Sequence, residues 1–117
     1  MGALVRPVTW LLGIVLLVVG LLGFFMSSPL LGIFETDSLH NIIHVASGAL
    51  GLIMINMGDA MGRTFLILFG FVYLVVALIG YVQGNTVLGL IGVNAADNML
   101  HILIAAVCLV IGFGSKK

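Results

Sequence analysis

His40 and His44 stand four residues apart, and Asp97 and His101 repeat that interval further along the chain. On a helix, residues at i and i+4 share a face one turn apart, so each pair offers two side chains to one neighbour. Imidazole and carboxylate are ligand types that zinc and other transition metals accept. His40, His44, Asp97 and His101 are therefore a candidate metal set. A second chemistry uses His44 and His101 alone, as axial ligands of a haem or another tetrapyrrole. Gly48 and Ala105, each four residues beyond its histidine, would make room for the flat ring. No Lys or Arg falls on the same side as the histidines to pair with haem propionates, so a pigment with esterified carboxylates suits the pattern better. A third chemistry is a proton relay or small-solute path, since imidazole titrates near neutral pH, yet no matching polar groups follow deeper in these segments.

The same residues also make sense without a ligand. Asp37, His40, Asn41, Asn94, Asp97 and Asn98 would then form a polar clasp that fixes two helices against each other. Asp37 or Ser38, and Asn94, suit helix N-caps, and Asp97 is a favourable first-turn charge. Asn41 and Asn98 suit interhelical hydrogen bonds, worth about 0.6 kcal/mol each in membranes. His40 is expected to oppose Asp97, and His44 to oppose His101.

These residues sit in an apolar chain. Of 117 residues, 62% are hydrophobic and 7% charged, with a mean hydropathy of +1.38. Soluble domains carry roughly a quarter charged residues, so the lipid bilayer is the expected environment. Zero net charge with no basic run excludes nucleic acid as an expected partner. No Ser-His-Asp or Cys-His arrangement, phosphate loop or dinucleotide fingerprint is present, and no enzymatic activity is expected. The single Cys108 lies among apolar residues and reads as a buried small hydrophobe.

Four runs are long enough to cross about 30 Å of hydrocarbon: Val8 to Met26, Leu39 to Met57, Phe65 to Val82, and Ala95 to Phe113. Arg6, Arg63, Lys116 and Lys117 all fall on one side of these spans, together with Asp59. The positive-inside rule makes that side, and both termini, cytoplasmic, as in a bacterial inner membrane. All three histidines then lie in the outer halves of the second and fourth spans. Trp10 near the inner edge, and Phe24, Phe25 and Tyr81 near the outer one, suit interfacial aromatic belts. Tyr73 is mid-span, so its hydroxyl needs a partner from a backbone carbonyl or a neighbouring subunit.

The chain also repeats. A shift of 57 positions places Arg6 on Arg63, Gly13 on Gly70, Gly23 on Gly80, Asn41 on Asn98 and His44 on His101, with no gap. A shared apolar alphabet explains matched leucines but not matched Arg, Asn and His. The expected fold is one all-α membrane domain of four transmembrane helices. It is built from two tandem two-helix repeats, about 1–57 and 58–117, with parallel pseudo-two-fold symmetry. Under this register Asp37 matches Asn94, and His40 matches Asp97, where the symmetry breaks. The inner turn, 58–63, is short and glycine-rich. The outer connectors, 27–34 and 83–92, are apolar enough to lie in the headgroup zone, fold back over the bundle or dock onto another protein.

Asn41, His44 and Gly48 form an Asn-x-x-His-x-x-x-Gly pattern, and Asn94, Asp97 and His101 form Asn-x-x-Asp-x-x-x-His. In these motifs the chain resembles a bacterial family of small four-helix membrane proteins catalogued only as a domain of unknown function. The resemblance spans nearly the whole chain. Ala105 stands where that family often has glycine, a departure that would tighten a pocket. The family implies a fold and a residue set but no activity.

The leading expectation is a small non-enzymatic scaffold or accessory subunit that forms a homo-oligomer or joins other membrane protein subunits. Tetrapyrrole or transition-metal binding through His44 and His101 is the alternative, and proton or small-solute transport comes third.

Overall fold

The computed structural model describes residues 2–26 and 37–115. Four helices, α1 (Gly2–Phe25), α2 (Ser38–Asn56), α3 (Asp59–Gln83) and α4 (Ala95–Gly114), carry the fold. All four are long and apolar enough to cross a membrane. The longest axis of the molecule is 40 Å, close to a bilayer with its interfacial layers.

Two helix starts are set by the caps expected from sequence. Asp37, with extended backbone, accepts the His40 N–H at 2.8 Å through Oδ1. Asn94 Oδ1 accepts the Asp97 N–H at 2.9 Å, while Asp97 Oδ2 accepts the Asn94 N–H at 3.0 Å. This reciprocal capping box satisfies two otherwise orphaned donors. The connection between α2 and α3 is tighter than the sequence suggests. α3 already starts at Asp59, so Arg63 lies within its first turns rather than in the connector. Gly58 makes the reversal possible at φ 126°, a backbone conformation that side chains disfavour.

α1 packs chiefly on α2, and α3 chiefly on α4; α2 meets α3 along a second seam. Small residues permit these approaches, as lipid-embedded packing requires. A Cβ at Gly13 would meet the Leu52 side chain at 2.9 Å, and one at Gly70 would meet Leu109 at 2.7 Å. Toward the arginine end, Val5, Ile55, Phe65, Leu66, Cys108 and Ile111 form an apolar core, with the Phe65 and Phe69 rings stacked at 4.7 Å. Cys108 is buried as expected. At that end Arg6 Nη1 donates to Ile55 O at 3.3 Å, and Arg63 Nε donates to Gly112 O at 2.7 Å.

The α3–α4 connector folds back over the bundle. It folds into an antiparallel hairpin of β1 (Thr86–Val87) and β2 (Ile91–Gly92). Leu90 N–H donates to Val87 O at 3.0 Å, and Leu88 and Gly89 both take positive φ, at 56° and 69°. Positive φ at both central residues is the φ pattern of a type I′ turn, here within a three-residue connection between the paired Val87 and Ile91. Gln83 Oε1 accepts the Leu88 N–H at 2.7 Å and braces the strained residue. Val87, Ile91 and Val93 pack down onto Val76 and Ile79 of α3. The first outer connector, 27–34, lies outside the described residues.

Candidate metal centre

α2 and α4 sit across a diagonal of the bundle. Among the described residues, no Cα of one approaches a Cα of the other within 8 Å. Their side chains meet instead. His40 and His44, one turn apart on α2, have ring centroids 4.5 Å apart, and His101 of α4 lies 5.7 and 6.0 Å from them. One ligand nitrogen from each of the three can be chosen so that all lie within 4.8 Å of one another. The rings are 1%, 4% and 1% exposed for His40, His44 and His101, so none relies on bulk solvent.

The three rings differ in what holds them. His40 Nδ1 lies 3.0 Å from Gly92 O. A carbonyl only accepts, so Nδ1 carries a proton and Nε2 is the electron-pair donor His40 brings to the cluster. Gly92 is fixed in turn, since its N–H donates to Asp37 Oδ2 at 2.6 Å. One carboxylate thus caps α2 and anchors the hairpin, and the hairpin orients His40. A backbone carbonyl on the second ring nitrogen is the arrangement that fixes metal-ligating histidines. For His44 and His101, neither ring nitrogen has a hydrogen-bond partner among the described residues. Leaving a buried polar group so costs about 1–3 kcal/mol.

Tyr73 joins the wall of the site, with Ser47 beside it. The Tyr73 ring lies 5.4 Å from His101. Its hydroxyl faces Ser47 but does not reach hydrogen-bonding geometry in this arrangement. Sequence had marked Tyr73 as needing a partner without assigning it to the site. Ser47 was missed, though its place three residues after His44 puts it on the same face. Ile91 of the hairpin also lines the cavity among the histidines.

Asp97 holds the first-turn place expected of it, as N3 of α4. The close group comprises the three histidines, and the Asp97 carboxylate is engaged in the α4 capping box. Asn41 and Asn98 depart from expectation. Their carboxamides pack against Gly23 and Gly80, where any Cβ would overlap them, and their Oδ1 atoms accept no hydrogen bond among the described residues. Glycine Cα–H contacts are what these oxygens meet.

The small residues below the histidines do not form a ligand slot. A Cβ on Gly48 would stand 2.5 Å from Gly13 O and from Leu17 N, so Gly48 serves a close helix crossing with α1. Ala105 is buried against Leu16 and Tyr73. The cavity among the histidines is ≈ 30 Å³, room for a small ion or one water. A tetrapyrrole ring does not fit this arrangement.

Fold and site together describe a small four-helix protein of membrane-spanning character, with a buried histidine cluster near one end. Residues 6–114 match the family described as Domain of unknown function (DUF4383), and the chain belongs to that family. No curated protein and no solved structure matches it.

Proposed function

We propose that this is a non-enzymatic integral membrane protein that binds a transition-metal ion through His40, His44 and His101, in the outer half of its bundle. The observation that carries this reading is the close approach of three buried imidazoles, their ligand atoms within 4.8 Å, with both ring nitrogens of His44 and His101 unpartnered among the described residues. Nitrogens bound at about 2.0 Å to a tetrahedral zinc stand about 3.3 Å apart. Small ring movements would therefore close the set around an ion. Three neutral imidazoles suit zinc, copper, iron or nickel, and their geometry leaves a further coordination position. An ion would satisfy ring nitrogens that otherwise lack partners, and would tie α2 to α4 where their backbones stand apart.

Metal content of protein purified from metal-replete cells, with His44→Ala and His101→Ala beside it, tests this. One equivalent in the wild type and none in either variant supports the site. A metal-free wild type, or equal content in all three, refutes it.

A second reading keeps the cluster as a structural clasp in a scaffold or accessory subunit that self-associates or joins other membrane proteins. Asp37 favours it, because its two oxygens join α2 to the hairpin without any ligand. A protein that folds fully and binds no metal supports this second reading. Inner-membrane residence with both termini cytoplasmic belongs to either reading; Arg6 and Arg63 at the end opposite the histidines support it.

A further inference from the structure

His44 belongs to two cavities. One is the small space among the histidines; the other is an apolar groove of ≈ 260 Å³ along the seam between α1 and α4, with Val15, Leu16, Leu103 and Val107 among its walls. The two helices touch sparingly there, and the rim residues Leu103 and Val107 are about half exposed on the lipid-facing side. The groove begins beside His44 and runs along α1 from Val19 toward Val8. At 1.5 Å per residue that is about 16 Å of membrane depth. His44 lies six residues into α2 from its Ser38 start, about 9 Å below it on the same scale.

That placement decides what fits. A phospholipid head is held at the interface, and a charged head at this depth carries a heavy desolvation cost. A neutral head dissolved in the hydrocarbon meets neither obstacle. His44, 4% exposed, lines the groove, with both ring nitrogens buried and unpartnered among the described residues. Neutral imidazole always has one N–H to donate. If the other nitrogen binds a metal, that N–H still needs an acceptor. His40 finds one in Gly92 O, whereas His44 finds none among the described residues. A ligand carbonyl arriving along the groove would supply it once the ring turns to bring the N–H to the groove.

We propose that the α1–α4 groove binds a neutral, membrane-dissolved amphiphile of the quinone class, its apolar tail along the groove and its head carbonyl accepting a hydrogen bond from His44. This holds whether or not a metal occupies the neighbouring cluster. The test is equilibrium binding of decylubiquinone to the full chain in phosphatidylcholine nanodiscs, corrected for partitioning into empty discs. Wild type should retain about one equivalent. Val107→Trp, which fills the groove from its lipid-facing rim, should abolish retention while leaving metal content unchanged. His44→Ala should weaken retention about tenfold, the effect expected from losing one buried hydrogen bond. Hexadecane should not compete. Retention no greater than in empty discs overturns the proposal, as does full retention by Val107→Trp or His44→Ala. Equal displacement by hexadecane also overturns it, since the groove would then hold only acyl chain. Metal content measured on the same samples separates failure of this proposal from failure of the metal reading.

Discussion

The imidazoles of His44 and His101 meet with ring centroids 6.0 Å apart and planes inclined at 71°, across a diagonal that the backbones of α2 and α4 leave open. Side chains rather than helix contact therefore connect these two helices. Whatever satisfies the imidazoles also decides how firmly the histidine end of the bundle is closed.

The carboxylate of Asp37 is expected to matter more than the side chain of Asn94. Asn94→Ala removes a cap and should cost about 1 kcal/mol. Asp37→Ala removes a cap and also the anchor of Gly92, so its loss should be larger by about another 1 kcal/mol. Unfolding by sodium dodecyl sulfate in mixed micelles measures both. Equal losses would show that the Asp37–Gly92 contact adds no stability.

Glycine replacement should separate close crossings from open positions. Gly48→Ala drives a methyl group into the α1 backbone, which cannot retreat without parting the helices, at a cost of about 1–3 kcal/mol. Gly23→Ala and Gly80→Ala meet the carboxamides of Asn41 and Asn98 instead, which can rotate, so smaller losses are expected. Gly2→Ala meets nothing within 4 Å and is the control. The same titration measures the series, and a Gly48→Ala protein as stable as Gly2→Ala would contradict the crossing described.

Arg6 and Arg63 make comparable contacts on carbonyls near the ends of α2 and α4, each spanning 49 residues of chain. Arg6 also pairs with Asp59 at 3.0 Å, but both side chains are at least half exposed. Exposed pairs contribute about 0–1 kcal/mol. Asp59→Asn should therefore leave stability nearly unchanged, whereas Arg63→Leu should lower it measurably through the loss of its 2.7 Å bond to Gly112 O. Thermal unfolding in detergent distinguishes them, and the reverse order would contradict this assignment.

Much of the frame was legible because it depends on local chemistry. Long apolar runs mark the four helices, and Asp37 and Asn94 cap where their residue types favour capping. The i, i+4 spacing puts His40 beside His44, and the register of the repeat points to His101 as the third ring. What escaped depends on backbone brought from a distance. The acceptor for His40 is a main-chain carbonyl 52 residues away, and no side-chain pattern announces it. The hairpin that supplies it relies on positive φ at Leu88, a residue type that does not advertise a turn. Gly48 illustrates the remaining ambiguity. Sequence allows a glycine to admit a ligand or a helix, and here the α1 backbone occupies the space. Asp97 was legible as a first-turn charge, and at N3 of α4 its carboxylate completes the cap.

The most direct test of the three-histidine site is titration of the metal-stripped protein with Co²⁺, followed in the visible spectrum. A site built from His40, His44 and His101 predicts the intense bands of four-coordinate cobalt, saturating at one equivalent. Those bands should be lost in His44→Ala and His101→Ala and kept in Asp97→Asn. A featureless titration, or bands that survive replacement of both His44 and His101, would contradict the account.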